Sequence, residues 1–339
     1  MRRREFLGSS AGLAAASLAG AASGLVAPAV SLAEKPKSGV KSAESAMSLP
    51  IIDTHQHLWD LSKFKLPWQA EEPTLAKNFL PADYLAAIAG QNVVQSVYME
   101  VDVEVSQQHA EAEYVLELCA RDDNPMTAAV ISGRPASDDF VSYMKRYEKN
   151  DRIKGIRQVL HGASTPPGYC TAPAFVRGIQ HLGTIGKSFD LCMRSDDMGD
   201  AVKLATLCPE TRFIMDHCGN MSVTETNPAP RKIWLDGMKA LAQRPNVVCK
   251  VSGIIASASV KWTPQEMAPV VLDTIKAFGI DRVMFAADWP VCTLRAKFGQ
   301  WVDCLNEIVK DFSEADRRKL FHDNAKAFYA LPDKTWKAS

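Results

Sequence analysis

The chain has 339 residues, 47% apolar and 23% charged, with 39 basic and 39 acidic side chains. That composition excludes a disordered or collagen-like chain, and a zero net charge without a basic run argues against nucleic-acid or membrane-surface binding as the main role. The length suits two small domains or one α/β barrel of about 250 residues with insertions.

The first elements are an export leader and its tether. Arg3 and Arg4, then Phe6 and Leu7, precede an Ala/Gly/Leu/Val-rich stretch from Ala11 to Val30, and Ser31-Leu32-Ala33 supplies small residues for cleavage. This resembles a twin-arginine (Tat) signal peptide over 1–33, and it implies the Tat machinery as a partner and a periplasmic or otherwise exported destination. The competing reading is an uncleaved anchor, for which so much Ala and Gly is poorly suited. Residues 34–48, almost without bulky apolar side chains, are expected to form a flexible linker, and 49–335 a single domain.

Within that domain, β-branched or apolar runs recur at Ile51–Asp53, Val93–Met99, Thr127–Ile131, Ile153–Leu160, Phe189–Cys192, Arg212–Met215, Val247–Val251 and Val283–Ala286. Stretches with helical spacing separate them. Strands alternating with helices predict parallel strands joined by crossover helices, and eight units predict a closed, distorted (β/α)8 TIM barrel. The long connection from Leu58 to Phe79 exceeds what a barrel needs and is expected to be a lid or a binding wall. Thr263-Pro264-Gln265-Glu266 predicts a capping box opening a helix that Gly279 stops. A last helix, near Ser313 to Tyr329, is expected to finish the barrel or close its end.

Eight cysteines, at 119, 170, 192, 208, 218, 249, 292 and 304, include no C-x-x-C and fall in apolar patterns. Free, buried thiols are expected rather than a disulfide framework, although an oxidising compartment leaves a bridge open.

The first strand run ends Asp53-Thr54-His55-Gln56-His57. Side chains at i and i+2 share a face of a strand, so both imidazoles can converge on one ion at the barrel mouth. Met215-Asp216-His217-Cys218-Gly219 ends the sixth run and Ala287-Asp288-Trp289-Pro290 the eighth. Singly, His217 reads as a hydrogen-bonded core histidine and Asp288 as a helix cap. Together, three histidines and an aspartate at three strand ends are the ingredients of a hydrolytic site around a divalent ion.

The series IIDTHQHLWD, KGIRQVLH, FDLC, FIMDHCGN, KVSGI and FAADWPV resembles the amidohydrolase superfamily. The likeness is to its branch of L-fuconolactonases, L-rhamnonolactonases and 2-pyrone-4,6-dicarboxylate lactonases, and it covers most of residues 50–330. It implies a site at the C-terminal strand ends with Asp288 handling protons. Many metal-dependent members carry a further histidine at strand five, where this chain reads Phe189-Asp190-Leu191-Cys192-Met193. With no bridging Lys or Glu at strand four, the resemblance implies one divalent ion, zinc, or none.

The activity so implied is hydrolysis of a small-molecule lactone. An ion held by His55, His57, His217 and Asp288, or the imidazoles acting alone, would polarise the carbonyl while Asp288 accepts a proton from water. Arg157 and His161 near strand four, Glu100 at strand two, and Trp59 and Trp289 are candidate substrate contacts. Each has a plainer reading: an inter-strand salt bridge for Arg157, a loop hydrogen bond for His161, pairing with Arg157 or Lys250 for Glu100, and packing for the two indoles. A C–N hydrolase or decarboxylase of the same superfamily, and a non-catalytic periplasmic binding barrel, are the alternatives. Self-association into a homo-oligomer is left open.

Overall fold

A computed structural model describes residues 49–334 and Trp336. The leader and tether, 1–33 and 34–48, therefore lie outside the described residues. Among the described residues eight strands form one parallel sheet in sequence order. They are β1 Ile51–Gln56, β2 Val93–Met99, β3 Met126–Ser132, β4 Ile153–Val159, β5 Ser188–Cys192, β6 Arg212–Met215, β7 Val247–Val251 and β8 Val283–Phe285. The helices are α1 Pro81–Ile88, α2 Gln108–Cys119, α3 Phe140–Lys145, α4 Pro173–Thr184, α5 Met198–Leu207, α6 Pro228–Ala242, α7 Pro264–Phe278, α8 Phe298–Ile308, α9 Glu314–Arg318 and α10 Asn324–Tyr329.

The first and last strands meet at their C-terminal ends. Gln56 and Trp289 form a parallel bridge, the Asp288 N–H donates to the His55 carbonyl at 2.9 Å, and the His57 N–H donates to that of Trp289 at 2.8 Å. A (β/α)8 TIM barrel results, and its closure brings the motifs of β1 and β8 together.

Alternation along each strand splits the core in two. Ile52, Val97, Met99, Ala128, Val130 and Met284 point into the barrel, where Ala325, Tyr329 and Leu331 pack on them. Residues of opposite parity, such as Phe189, Phe213 and Phe285, pack outward beneath the helices. The C-terminal segment caps the N-terminal strand ends: Gln95 donates to the Pro332 carbonyl at 2.7 Å and Arg212 to that of Phe328 at 2.6 Å. The expected last helix is two helices joined by a π turn, Lys319–Asp323.

One expected motif does not form. Proline opens α7 and Gly279 ends it, but the Thr263 side chain makes no cap. Glu266 instead accepts from the N–H and hydroxyl of Ser259, both at 2.7 Å, tying the loop after β7 to the helix. All eight cysteines are free and buried.

Candidate active site

β1 runs buried throughout and carries His55, with His57 just beyond it. Nε2 of His55 and Nε2 of His57 lie 3.1 Å apart. Oδ1 of Asp288 is 3.6 Å from the first and 3.4 Å from the second. Donors on a tetrahedral ion with bonds of about 2.0–2.1 Å are separated by about 3.3–3.4 Å, so this triangle has the size of one face of a zinc-like coordination sphere.

Each imidazole is oriented from behind. Nδ1 of His57 faces the Met99 carbonyl oxygen at 2.9 Å. Nδ1 of His55 faces Oδ1 of Asp216 at 3.4 Å. The Met99 carbonyl places the ring proton of His57 on Nδ1 and leaves its Nε2 lone pair toward the centre, while Nδ1 of His55 also faces the Lys250 ammonium at 3.5 Å. Burial lowers the His55 imidazole well below its ordinary value, against the pull of Asp216, so the ring is neutral at neutral pH.

His217 completes a second, overlapping set. Donor atoms of His55, Asp216 and His217 also lie within 4.8 Å of one another, and the His55 and His217 rings are 4.4 Å apart. The four residues expected to share one ion thus fall into two triplets with His55 in common, one with His57 and Asp288 and the other with His217 and a fifth residue, Asp216. Nδ1 of His217 is 2.9 Å from Ser252 Oγ. Burial again lowers its imidazole.

Left-handed backbone swings these side chains off the strand direction. His217, Cys218, Gly219 and Asn220 have φ of 55°, 51°, 70° and 55°, and Asp288 has 56°. Non-glycine residues reach this region at a cost, and they concentrate at functional sites. Gly253 is required for a different reason: a Cβ there would lie 2.4 Å from Nδ1 of His217.

Beneath the triangle lies an ionic layer that sequence reasoning only touched. Lys250, fully buried on β7, is paired with Asp190 of β5 and, at 3.1 Å, with Asp216. The expected alternatives for Glu100 resolve onto Arg157, whose Nε donates to Glu100 Oε1 at 2.6 Å while Nη2 donates to its carbonyl oxygen at 2.6 Å. The fork that would suit a substrate carboxylate is therefore filled by protein, and Nη1 stands 3.3 Å from His55 Nε2. One signal did exist: a lysine inside the apolar run Val247–Val251 needs buried partners.

Glu100 pairs with Arg157, Asp190 and Asp216 pair with Lys250, and Asp288 faces the imidazoles of His55 and His57. Burial pushes Asp190 up to about 7 against the pull of Lys250. Donor spacing and the His57 tautomer fit one divalent cation.

The remaining expected contacts fare differently. Trp59 is buried in the loop, in edge contact with Trp68 and Phe79, and donates its indole N–H to Lys77 at 2.6 Å. Trp289 is buried against Phe79 and Tyr84. Both indoles are packed against these rings, the plainer of the two readings given for them. His161 is exposed in the loop after β4.

The matched family model is the amidohydrolase family, over residues 52–331. The chain is 31% identical to the uncharacterised protein y4mH of Sinorhizobium fredii, over 84% of this chain and 99% of that one. It is 25% identical to an L-fucono-1,5-lactonase of Burkholderia multivorans, over 83% of this chain and 96% of the other. Among solved structures, an amidohydrolase of Burkholderia multivorans with bound zinc superposes with a TM-score of 0.75 at 24% identity, over 84% of this chain and all of that one. Fold and site together define a TIM-barrel hydrolase. The chain belongs to the amidohydrolase family.

Proposed function

We propose that the protein is a lactonase, opening a cyclic ester of a sugar acid or related carboxylate, with one zinc ion held by His55, His57 and Asp288. The observation that carries a lactone over an amide is the similarity to L-fucono-1,5-lactonase along nearly the whole of that enzyme. When bound, the ion supplies a Lewis acid for the ester carbonyl and acidifies water.

The chain's own groups do the rest. Asp288 accepts one proton from water as the water oxygen bonds to the carbonyl carbon. His217, held through Nδ1 by Ser252, presents its other nitrogen to the oxyanion. The tetrahedral adduct collapses by breaking the ring C–O bond, Asp288 returns its proton to the leaving alkoxide, and an open hydroxy acid results. Arg157 and Glu100, saturated by each other, hold β2 and β4 together beside His55 rather than gripping the substrate.

We also propose that this chemistry takes place outside the cytoplasm, on the strength of Arg3, Arg4 and the apolar run behind them. Replacing both arginines by lysine should leave the protein in the cytoplasmic fraction; unaltered export would remove the Tat assignment.

The test of the reaction is a panel of aldonolactones and pyrone lactones scored by proton release. At least one should be cleaved far above the uncatalysed rate. If every lactone fails while simple amides are hydrolysed, the ester reading is wrong.

A further inference from the structure

Lys250 sits inside the barrel. It shares strand parity with Val248, which packs on the interior cluster, and no part of it is exposed. Replacing a buried ion pair by apolar side chains of similar volume is often neutral or stabilising, so stability alone does not account for an ammonium at this position.

Its surroundings are those of a cation site. Nζ contacts Oδ2 of Asp190 and lies 3.1 Å from Oδ1 of Asp216 and 3.5 Å from Nδ1 of His55. Carboxylate oxygens and an imidazole nitrogen are metal ligands as readily as they are partners of an ammonium, and all three residues are fully buried. Asp216 and His55 recur in the second triplet, where His217 joins them within 4.8 Å. Zinc takes such donors at about 2.0–2.2 Å, so the cage would have to close on an ion by about 1 Å.

The ammonium leaves this cage incompletely satisfied. Oδ1 of Asp190 and both oxygens of Asp216 make no hydrogen bond. Nor does the hydroxyl of Tyr329, which feels the charges of Lys250, Asp190 and Asp216 from the capping segment. An ammonium has only three donors to share among them, whereas a divalent ion brings twice the charge to the same oxygens.

His55 stands between this cage and the triangle. Its Nε2 faces His57 and Asp288, and its Nδ1 faces Asp216 and Lys250. There are thus two cation positions, one on each nitrogen of a single imidazole, and the chain fills one of them with its own side chain.

We propose that the Lys250 ammonium occupies a second cation site built from Asp190, Asp216 and His55, and that this occupancy, rather than a shortage of ligands, limits the centre to one ion. The proposal rests on the reading of the His55–His57–Asp288 triangle as the place of that ion.

Two substitutions separate charge from space. Lys250→Ala removes the propylammonium tip and opens the cage, whereas Lys250→Met removes the charge and keeps the bulk. Because the cage has no exposed surface, each chain is produced with zinc present during folding, dialysed, and its zinc counted by elemental analysis. The unaltered chain and Lys250→Met should hold about one ion, Lys250→Ala about two, and Lys250→Ala combined with Asp190→Asn about one. The urea midpoint of Lys250→Ala should rise with zinc concentration. Propylammonium, which restores the missing tip, should raise it as well and displace the second ion. Should Lys250→Ala need a cation to fold at all, the yield of folded chain in zinc or propylammonium replaces the midpoint. One ion in Lys250→Ala, with a midpoint or yield indifferent to both cations, overturns the proposal, as do two ions in Lys250→Met or in the unaltered chain. An unaltered chain without zinc beside a Lys250→Ala chain with one ion would remove the triangle as a metal site and leave the cage standing.

Discussion

Nδ1 of His57 lies 2.9 Å from the carbonyl oxygen of Met99. Because a carbonyl can only accept, that contact fixes the proton on Nδ1 and turns the Nε2 lone pair toward His55 and Asp288. Protein purified without chelator should therefore contain about one divalent ion per chain. His57→Ala should lower retention of the ion in equilibrium dialysis by about a hundredfold or more. Elemental analysis checks both, and an unaltered chain free of metal would place the catalytic burden on the imidazoles alone.

Lys250 stands between Asp190 and Asp216 with no exposed surface on any of the three. Replacing it by methionine keeps the bulk and strands two buried carboxylates, at a cost of about 3–5 kcal/mol. Combining Lys250→Met with Asp190→Asn should recover part of that loss. Urea unfolding of Lys250→Met, Asp190→Asn and the double variant measures the coupling, and additive losses would show that Lys250 and Asp190 act independently.

The barrel was legible in the sequence because buried parallel strands read as short apolar runs, and each of the eight runs overlaps a strand. His55, His57, His217 and Asp288 were legible for the same reason: polar residues closing apolar runs mark strand ends. Their separation into two sets, the second completed by Asp216, was not, since His217 and Asp288 both sit in left-handed turns beyond the strands. The Asp190–Lys250–Asp216 layer joins three strands that no local pattern connects. The two readings of Trp59 and Trp289 could not be separated, because an aromatic beside a site motif looks the same in sequence whether it faces solvent or packs. The Thr263 box failed because Ser259, on a loop of unforeseen course, captured Glu266.

His217 owes its pose to two neighbours on one loop, Ser252 by hydrogen bond and Gly253 by yielding space. Gly253→Ala places a methyl group into the imidazole and forces a left-handed Cβ besides. Its kcat should fall by about a hundredfold, as a displacement of about 1 Å at a reacting group produces. Ser252→Ala should cost about tenfold or less. Equal activity in Gly253→Ala and the parent would detach His217 from catalysis.

Glu111 is pushed up to about 8 by burial and by the neighbouring Glu100. Its Oε1 accepts from Tyr98 and from the Val101 N–H, and Oε2 is left for the proton. The folded chain thus keeps a proton that the unfolded chain, with an ordinary value near 4.5, gives up. The contribution to stability is full below the unfolded value and is lost as pH rises toward about 8. Glu111→Gln should flatten that decline, by up to about 1.4 kcal/mol per pH unit. Urea midpoints across this pH range check it, and an unchanged slope would reassign the proton.

Asp288 is the residue on which the geometry converges, within 3.6 Å of both His55 and His57 and tied through its own N–H to the His55 carbonyl. The most direct test is the kcat of Asp288→Asn on the best lactone of the panel. The amide keeps the shape of the side chain but cannot accept the proton of water, so kcat should drop by about two orders of magnitude or more. Turnover equal to that of the unaltered enzyme would contradict the assignment of this centre as the place where water is activated.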